Sequence, residues 1–493
     1  MLIHFSLFII GYINKISPIT IITIVLFFDI CFSLYNISNL SFTVVPAFCG
    51  CALICLIFFI KKTNIRKYKI YIILTTFLGY FIMVIHRKDT ALCYLPYFII
   101  IFVYSFDIKI TDLKKSKYIL LICGIFILLT TTLNAINKYA TKYINGTNFI
   151  EYNKARVKYM DYPHDKYKDN PEIYNQVGWD SNLCYLVKDW FFMDERVTTD
   201  SFLYLSDNSH ISNSYQKNIY NTLKKVINDS KQKYLLKVLT ISVLLYFLQF
   251  IYNKKQNNLS TFIFNNMIFC LLFGYLLLKG RLPYRVMVVI IMPTILINIL
   301  LLIEGHKKDK ICYKSIISIV ILLFSFIQII TIFDKDYELK KQEKINTSNT
   351  IDALLVSNPS NTYIISPLQY DDINPKTRYP YNTSNIIPFG GSSYNSKSFY
   401  LNLQYNHLNE LSGEIFKNQN IYFICGDDIR NGFSNIHNTL LDLICIYLKT
   451  NYNAKGVSYV SHIDNIYVYQ FVFDENEHFF TEYYDIEKYI LIN

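Results

Sequence analysis

The chain has 493 residues, of which 52% are hydrophobic and only 17% are charged, whereas a soluble domain carries about a quarter charged residues. This composition excludes a soluble globular protein and indicates a membrane protein. The formal net charge of +11 does not indicate nucleic-acid binding, because much of it lies in short loops between apolar segments, where anionic lipid head groups are the natural partners.

Apolar segments recur along the chain at the length that a membrane-spanning helix needs, which is about 20 residues. About nine candidate spans meet this criterion: Ser17–Ile37, Phe42–Ile60, Ile70–Ile85, Thr90–Phe106, Tyr118–Ile136, Leu235–Tyr252, Phe262–Leu278, Pro283–Ile303 and Cys312–Phe333. The sequence therefore predicts an α-helical polytopic membrane protein.

Basic loops orient these spans. Lysine and arginine concentrate in four short loops that fall on one side: Lys61–Lys69, Lys109–Lys117, Lys254–Lys255 and Lys307–Lys314. Positive charge in short loops marks the cytoplasmic side. We therefore expect a multi-pass protein of the bacterial inner (cytoplasmic) membrane, with its amino terminus in the cytoplasm and its carboxyl terminus exported.

This orientation divides the chain into four segments. Residues 1–136 would form a bundle of five spans and residues 235–333 a bundle of four, while residues 137–234 and 334–493 would be exported. The first exported segment is predicted to be mostly helical, because Tyr185–Phe192 has apolar residues at helical spacing. The second is predicted to be a small α/β domain, with strands at Thr362–Ser366 and Asn420–Cys425, a helix at Ile436–Leu448, and a hairpin of Gly456–Val460 with Ile466–Phe473.

Two outer hairpins carry basic residues against the charge rule, with Arg87 in one and Arg281 and Arg285 in the other. Arginine at a membrane surface suits bidentate binding of a lipid-linked phosphate. The alternative is that these side chains extend to ordinary head groups, which we favour for Arg87. Asp29 lies inside the first span, where a carboxylate is costly and marks either a functional site or a locally paired structural acid.

The densest polar and aromatic constellation lies in the first exported segment and includes both tryptophans of the chain. Sugars pack on aromatic rings, and carboxylates accept hydroxyl protons. The candidate catalytic residues are Asp161, Asp194 and Glu195, and the candidate substrate-binding residues are Arg156, Tyr162, Trp179, Asp180 and Trp190. The alternative is that the aromatic residues only anchor this segment to the membrane surface.

Several motifs are absent from the sequence: a phosphate-binding lysine loop, GxSxG, HExxH and paired CxxC. No nucleotide or metal cofactor is therefore predicted, although a divalent cation stays open. Cys184, Cys425 and Cys445, the cysteines of the exported segments, are expected to be plain buried thiols.

Residues 161–195 resemble a group of bacterial membrane proteins associated with surface-glycan gene clusters, through a DY–Y–GW–WFF-D pattern. The matching residues are Asp161, Tyr162, Tyr167, Gly178, Trp179, Trp190, Phe191, Phe192 and Asp194, and the stretches GRLPYR (280–285) and PFGG (388–391) are similar as well. This resemblance implies a surface-glycan context but no particular activity.

In topology the chain resembles the serotype-converting glucosyltransferases, which are GT-C-type membrane enzymes that use polyprenyl-phosphate glucose. That type keeps an acidic motif in its first exported loop, which here is only Ser38–Ser41 and has no acid. Asp29 or the later set of Asp161, Asp194 and Glu195 would have to replace it.

The resemblance in topology implies a membrane glycosyltransferase that moves a sugar from a polyprenyl-phosphate carrier to a surface glycan such as an O-antigen or capsule. Its partners would be membrane lipid, the lipid-linked sugar and the glycan acceptor, with no nucleic acid. The alternatives are an O-antigen or capsule polymerase, a flippase, and a non-catalytic glycan-binding or assembly protein.

Overall fold

The computed structural model describes residues 21–22, 25–26, 43–60, 66–107, 113–210, 215–252, 258–304, 360–367, 385–391, 393–426, 439–463, 466–474 and 482–485. Asp29, most of the predicted span Ser17–Ile37, all of Cys312–Phe333 and most of the four basic loops lie outside these residues. The chain is mostly helical, and four described helices are long and apolar enough to cross a membrane, as in a helical membrane protein.

The chain divides into two compact units, each built from two separate segments. We call Met1–Tyr139 with Tyr215–Asp334 the bundle unit, and Ala140–Ser214 with Lys335–Asn493 the α/β unit. This grouping differs from the four segments predicted from sequence, because the two polar segments share one core. The boundary also falls earlier than residue 234, since the helix that begins at Tyr215 joins the bundle unit.

The helices of the bundle unit coincide in position with most of the apolar segments of the sequence, and four described helices have the length and composition of a span. In chain order they are α1 (Val44–Phe59), α2 (Arg66–Ser105), α3 (Leu113–Met160, which continues into the α/β unit), α7 (Tyr215–Asn228), α8 (Ser230–Tyr252), α9 (Leu259–Leu278) and α10 (Tyr284–Glu304). The two spans predicted within α2 are separated by a break at Arg87, whose backbone is extended (φ −162°, ψ 103°). α3 is likewise interrupted at Gly146 (φ 82°).

Helix α10 forms the centre of the bundle unit. Almost every side chain from Met287 to Leu301 is buried, and α10 contacts α1, α2, α8 and α9. Such all-round apolar burial is what a helix surrounded by other helices requires. Helix α7 is amphipathic instead, and it turns Ile219, Leu223 and Val226 toward the same core.

The buried polar side chains of the described bundle unit are all uncharged, and several of them link neighbouring helices. The amide nitrogen of Asn265 on α9 donates to the Asn298 Oδ1 on α10 (3.0 Å), and the Asn298 amide nitrogen donates to the Ser242 Oγ on α8 (3.1 Å). Side-chain hydrogen bonds of this kind hold membrane helices in register.

The α/β unit combines short helices from the first polar segment with a sheet from the second. The helices are the end of α3, α4 (Pro171–Gln176), α5 (Ser181–Lys188), α6 (Thr199–Asn208), α11 (Lys397–Tyr405) and α12 (Leu440–Tyr452). The strands are β1 (Thr362–Ile365), β2 (Ile386–Pro388), β3 (Ile421–Cys425), β4 (Gly456–Ile463), β5 (Ile466–Val472) and β6 (Glu482–Asp485). The predicted helical character, strands and hairpin are confirmed.

The sheet has the order β2-β1-β3-β5-β4-β6 among the described strands. β1 pairs in parallel with β2 and β3, whereas the β4–β5 hairpin and β6 pair antiparallel. Helix α12 connects β3 to β4 and begins with a capping box, in which Thr439 and Asp442 satisfy each other's backbone N–H groups. The predicted start of this helix at Ile436 lies outside the described residues.

One hydrophobic core joins both polar segments. The Phe191 ring from the first segment packs against Phe389 (5.3 Å between ring centres) and Tyr447 (4.9 Å) from the second. Helix α5 packs on α12, where the Asn182 amide donates to the Leu443 carbonyl oxygen (3.1 Å). The described residues of the two segments therefore share one apolar core.

Candidate functional site

Asp194, a predicted catalytic residue, is part of a buried ion pair with Arg196. The Arg196 Nε and Nη2 donate to Asp194 Oδ1 and Oδ2, each at 2.8 Å, and the Arg196 backbone N–H also donates to Oδ1 at 2.8 Å. Only 5% of the Asp194 side chain is exposed. These hydrogen bonds raise the pKa of the Arg196 guanidinium above its usual value, and a carboxylate held this firmly is poorly placed to accept a substrate proton.

Arg196 also organises the residues around Trp179. Its Nη1 donates to the Gly178 carbonyl oxygen (2.9 Å), and its own carbonyl oxygen accepts from the Trp179 Nε1 (2.9 Å). Trp179 is fully buried, with the rings of Tyr159 and Phe202 packed edge-on at 5.6 and 5.7 Å. This position favours a structural role for Trp179 over the predicted contact with a sugar.

The other predicted polar residues differ in their hydrogen bonds and in their exposure. Asp180 caps helix α5, because its Oδ1 accepts the Leu183 backbone N–H (2.7 Å). Asp161 follows directly after α3 and is half-buried, whereas Glu195 is exposed. Tyr162 is 36% exposed. Asp161 and Glu195 are therefore the predicted catalytic carboxylates whose positions leave them best able to meet a substrate.

Trp190 occupies a backbone position that usually belongs to glycine. Helix α5 ends in a Schellman motif, in which the Trp190 N–H donates to the Val187 carbonyl (3.0 Å) and the Phe191 N–H to the Leu186 carbonyl (3.0 Å). Trp190 is the left-handed residue of this motif, with φ 66°. The equivalent residue at the end of α9 is Gly280, with φ 68°. A side chain in this conformation costs about 1–2 kcal/mol, so the backbone at Trp190 is strained.

Because of this strain, we expect Trp190→Gly to be more stable than Trp190→Ala by about 1 kcal/mol. Both variants lose the ring, but only glycine relieves the backbone. The measurement is urea unfolding of the detergent-solubilised protein, followed by the fluorescence of Trp179. The same pair of substitutions at Tyr185, an exposed position inside α5, should show the opposite order, since glycine weakens a helix interior. An alanine variant as stable as the glycine variant at position 190 would contradict the strain.

The PFGG stretch packs directly on the WFF stretch. The Phe192 backbone N–H donates to the Phe389 carbonyl oxygen (2.9 Å), and the Phe389 N–H donates to the Ile365 carbonyl oxygen of β1 (3.1 Å). Gly390 lies against the Trp190 carbonyl so closely that a Cβ there would come within 1.7 Å of the carbonyl oxygen. The two sequence stretches are therefore one structural junction.

Arg156 lies beside this junction on α3. Its guanidinium carbon is 4.8 Å from the centre of the Trp190 ring, and its Nε and Nη2 donate to the Asn153 Oδ1 (3.2 and 2.5 Å). The Tyr152 ring, one turn earlier, packs against Phe192 and Tyr394. Of the predicted residues, the structure thus brings Arg156 together with Trp190. It also groups Trp179, Asp180 and Asp194 around Arg196.

The basic hairpins of the bundle unit lie at one end of it. Tyr97 on α2 donates to the Ile290 carbonyl on α10 (2.9 Å), and further along both helices Tyr104 bonds to Glu304. The second half of α2 and α10 therefore run in parallel. Since Tyr97 and Ile290 are each about 10–15 Å along their helices at 1.5 Å per residue, the break at Arg87 and the turn before Tyr284 fall at the same level.

Arg87 itself ties helices together. Its Nη1 donates to the Thr43 Oγ1 next to α1 (2.7 Å), and the neighbouring Lys88 Nζ donates to the Asn134 Oδ1 on α3 (2.8 Å). These bonds favour a structural role for Arg87. Arg281 and Arg285 are half-buried and flank the start of α10.

Sequence reasoning missed Arg196, Tyr152 and Tyr394. The Asp194-x-Arg196 spacing was the available signal for the first, whereas the two tyrosines gave none among the chain's 43. In the described part of the chain, no three His, Cys, Asp or Glu side chains gather closely enough to hold a metal ion.

Comparison of the chain with protein-family models, with curated proteins and with solved structures finds no match.

Proposed function

We propose that the protein is a GT-C-like membrane glycosyltransferase that moves a sugar from a polyprenyl-phosphate carrier to a cell-surface glycan. The observation that carries this proposal is the gathering of two basic hairpins at one end of an apolar helical bundle. A lipid-linked phosphate at the membrane surface meets cationic side chains at this depth, and a phosphate leaving group is stabilised by them.

In this proposal Arg281 and Arg285 bind the lipid phosphate, and Arg87 supports them by holding its hairpin against α1. The positive-inside rule, applied to the four basic loops of the sequence, assigns those loops to the cytoplasm and this end to the exported face, with about nine spans in the inner membrane. Exported positions for the polar segments follow from the same rule.

We expect Arg281→Lys and Arg285→Lys each to weaken donor binding by about ten- to a hundredfold. The reason is that losing a charge-assisted phosphate contact costs about 1.5–3 kcal/mol, and lysine lacks the planar fork that binds phosphate bidentately. The measurement is sugar transfer in liposomes titrated with polyprenyl-phosphate sugar.

Lys279→Arg is the matched control, because it changes a basic residue of the same hairpin and keeps its charge. If Arg281 and Arg285 only anchor the hairpin to head groups, both lysine variants should need no more donor than the unmodified protein. That result would remove the support for the phosphate site.

A second candidate function is non-catalytic glycan binding or assembly. The observation that favours it is the structural use of two predicted carboxylates, since Asp194 is locked to Arg196 and Asp180 caps a helix. A binding protein needs no general base, so it would tolerate neutralisation of Asp161 and Glu195.

The carboxylates separate the two candidates. For an enzyme we expect Asp161→Asn or Glu195→Gln to lower the rate of sugar transfer by about 100-fold or more, which is the cost of losing a general base. The abundance of the protein in the membrane should stay unchanged. Asp194→Asn should instead reduce abundance, because it removes the carboxylate that binds the Arg196 guanidinium at 2.8 Å. Normal surface glycan with both Asp161→Asn and Glu195→Gln would favour the binding protein.

A further inference from the structure

Among the described residues, Arg156 is a buried cation that forms no ion pair. Only 5% of the residue is exposed, and within the described residues its guanidinium bonds to a neutral amide, that of Asn153, and to no carboxylate. Asp161 interacts with it electrostatically without forming an ion pair. Arginine is almost never fully buried unless it is paired, and an unpaired buried charge is costly. A bound anion at this position would therefore stabilise the buried guanidinium.

A second unsatisfied group lies one helical turn away. Tyr152 is 4% exposed, and its hydroxyl has no hydrogen-bond partner in the described part of the chain. Both residues lie on α3, four positions apart, which places their side chains on the same face of the helix. A buried hydroxyl without a partner costs about 1–3 kcal/mol, so both groups point to a ligand that supplies an anionic oxygen and a hydroxyl.

Aromatic rings surround these two groups. The Trp190 ring lies 4.8 Å from the guanidinium carbon, and the Tyr394 ring packs at 5.8 Å from Tyr152 and 5.7 Å from Phe192. Trp190 and Tyr394 are each partly exposed, so the group lies just beneath the surface.

We propose that Arg156, Tyr152, Trp190 and Tyr394 bind a saccharide that carries an anionic group, either a carboxylate or a phosphate. The guanidinium pairs with the anionic group, which displaces Asn153 because charge-assisted hydrogen bonds are about twice as strong as neutral ones. The Tyr152 hydroxyl bonds to a sugar hydroxyl, and the rings of Trp190 and Tyr394 pack against the apolar face of the sugar. This inference rests on the glycan role proposed above, and it names the class of glycan.

The test is direct binding to the full-length protein in detergent, by calorimetry and by tryptophan fluorescence. Trp179→Phe leaves Trp190 as the sole tryptophan, so its emission reports on the site. The probes are glucuronate, glucose 1-phosphate, glucose and inorganic phosphate. We expect saturable binding of glucuronate or glucose 1-phosphate, at least tenfold tighter than that of glucose, and the stronger of the two identifies the anionic group.

Tyr152→Phe is the decisive variant, because it removes only the hydroxyl. We expect it to weaken binding by about tenfold and yet to raise the unfolding midpoint, since a buried unsatisfied group is removed. A purely structural Tyr152 would not combine these two effects. Arg156→Gln should abolish binding, while Lys158→Gln, at an exposed position on the same helix, should leave it unchanged.

Equal affinity for glucose and glucuronate, or binding that survives Arg156→Gln, would overturn the proposal. So would inorganic phosphate binding as tightly as glucose 1-phosphate, because the saccharide would then contribute nothing. Binding does not require sugar transfer, so this result is independent of the donor titrations with Arg281→Lys and Arg285→Lys.

Discussion

Replacing Arg196 by methionine should lower the free energy of unfolding of the α/β unit by about 3–5 kcal/mol, which is the usual cost of breaking a buried ion pair. Asp194 would keep its charge at a side chain only 5% exposed, without the two guanidinium bonds. The Gly178 and Asp180 contacts of the guanidinium would be lost at the same time. We expect the lower end of the range, because 27% of the Arg196 side chain is exposed.

Both tryptophans lie in the α/β unit, so urea unfolding followed by tryptophan fluorescence reports on that unit alone. The matched control is Lys158→Met, which breaks an ion pair with Asp207 whose side chains are 47% and 60% exposed. Exposed pairs contribute about 0–1 kcal/mol. A double variant, Asp194→Leu with Arg196→Met, should recover part of the loss, since it leaves no buried charge behind. Similar costs for the two ion pairs would show that Asp194 does not depend on Arg196.

Gly390→Ala should destabilise the α/β unit by about 1–3 kcal/mol or more, which is the range for overpacking. The new methyl group would come within 1.7 Å of the Trp190 carbonyl oxygen and 2.9 Å of its carbon. Both are backbone atoms, so no side-chain rotation relieves the overlap. The Phe192–Phe389 backbone hydrogen bond beside it must shift as well.

Ser393→Ala is the control for this substitution, because Ser393 is exposed in the same loop. It should change the unfolding midpoint little, as surface substitutions usually stay within about 0.5 kcal/mol. We also expect Gly390→Ala to disturb the emission of Trp190, because the strained turn at that residue carries the displaced carbonyl. An alanine variant with unchanged midpoint and emission would mean that the two stretches are not packed together.

The elements of this fold could be predicted from sequence because their signals are local. The span of α10 follows from its apolar run, and the β4–β5 hairpin follows from alternation around a two-residue turn. The joining of the two polar segments could not be predicted, since Phe191 meets Phe389 across about 200 residues and nothing in either stretch encodes its partner. Composition drew attention to residues 156–195, which include Arg156 and Trp190 of the proposed saccharide site.

The burial of individual site residues could not be predicted from composition. Trp179 and Trp190 look alike in sequence, yet one is fully buried and the other is partly exposed in a strained turn. Asp194 and Glu195 are adjacent carboxylates, yet Arg196 lies two residues after the first and binds only that one. The distinction depends on which side of the turn faces the core, and it requires the three-dimensional structure.

The discontinuous construction of the α/β unit dictates an order of events during synthesis. Phe191 and Phe192 emerge about 200 residues before Phe389, which at 5–20 residues per second is a delay on the order of 10–40 s. Throughout that interval the helices α7 to α10 of the bundle unit are made, while the early segment lacks the partner residues of the shared core. We therefore expect the early segment to be exposed to proteases and to aggregation until the strands of the second segment have been made.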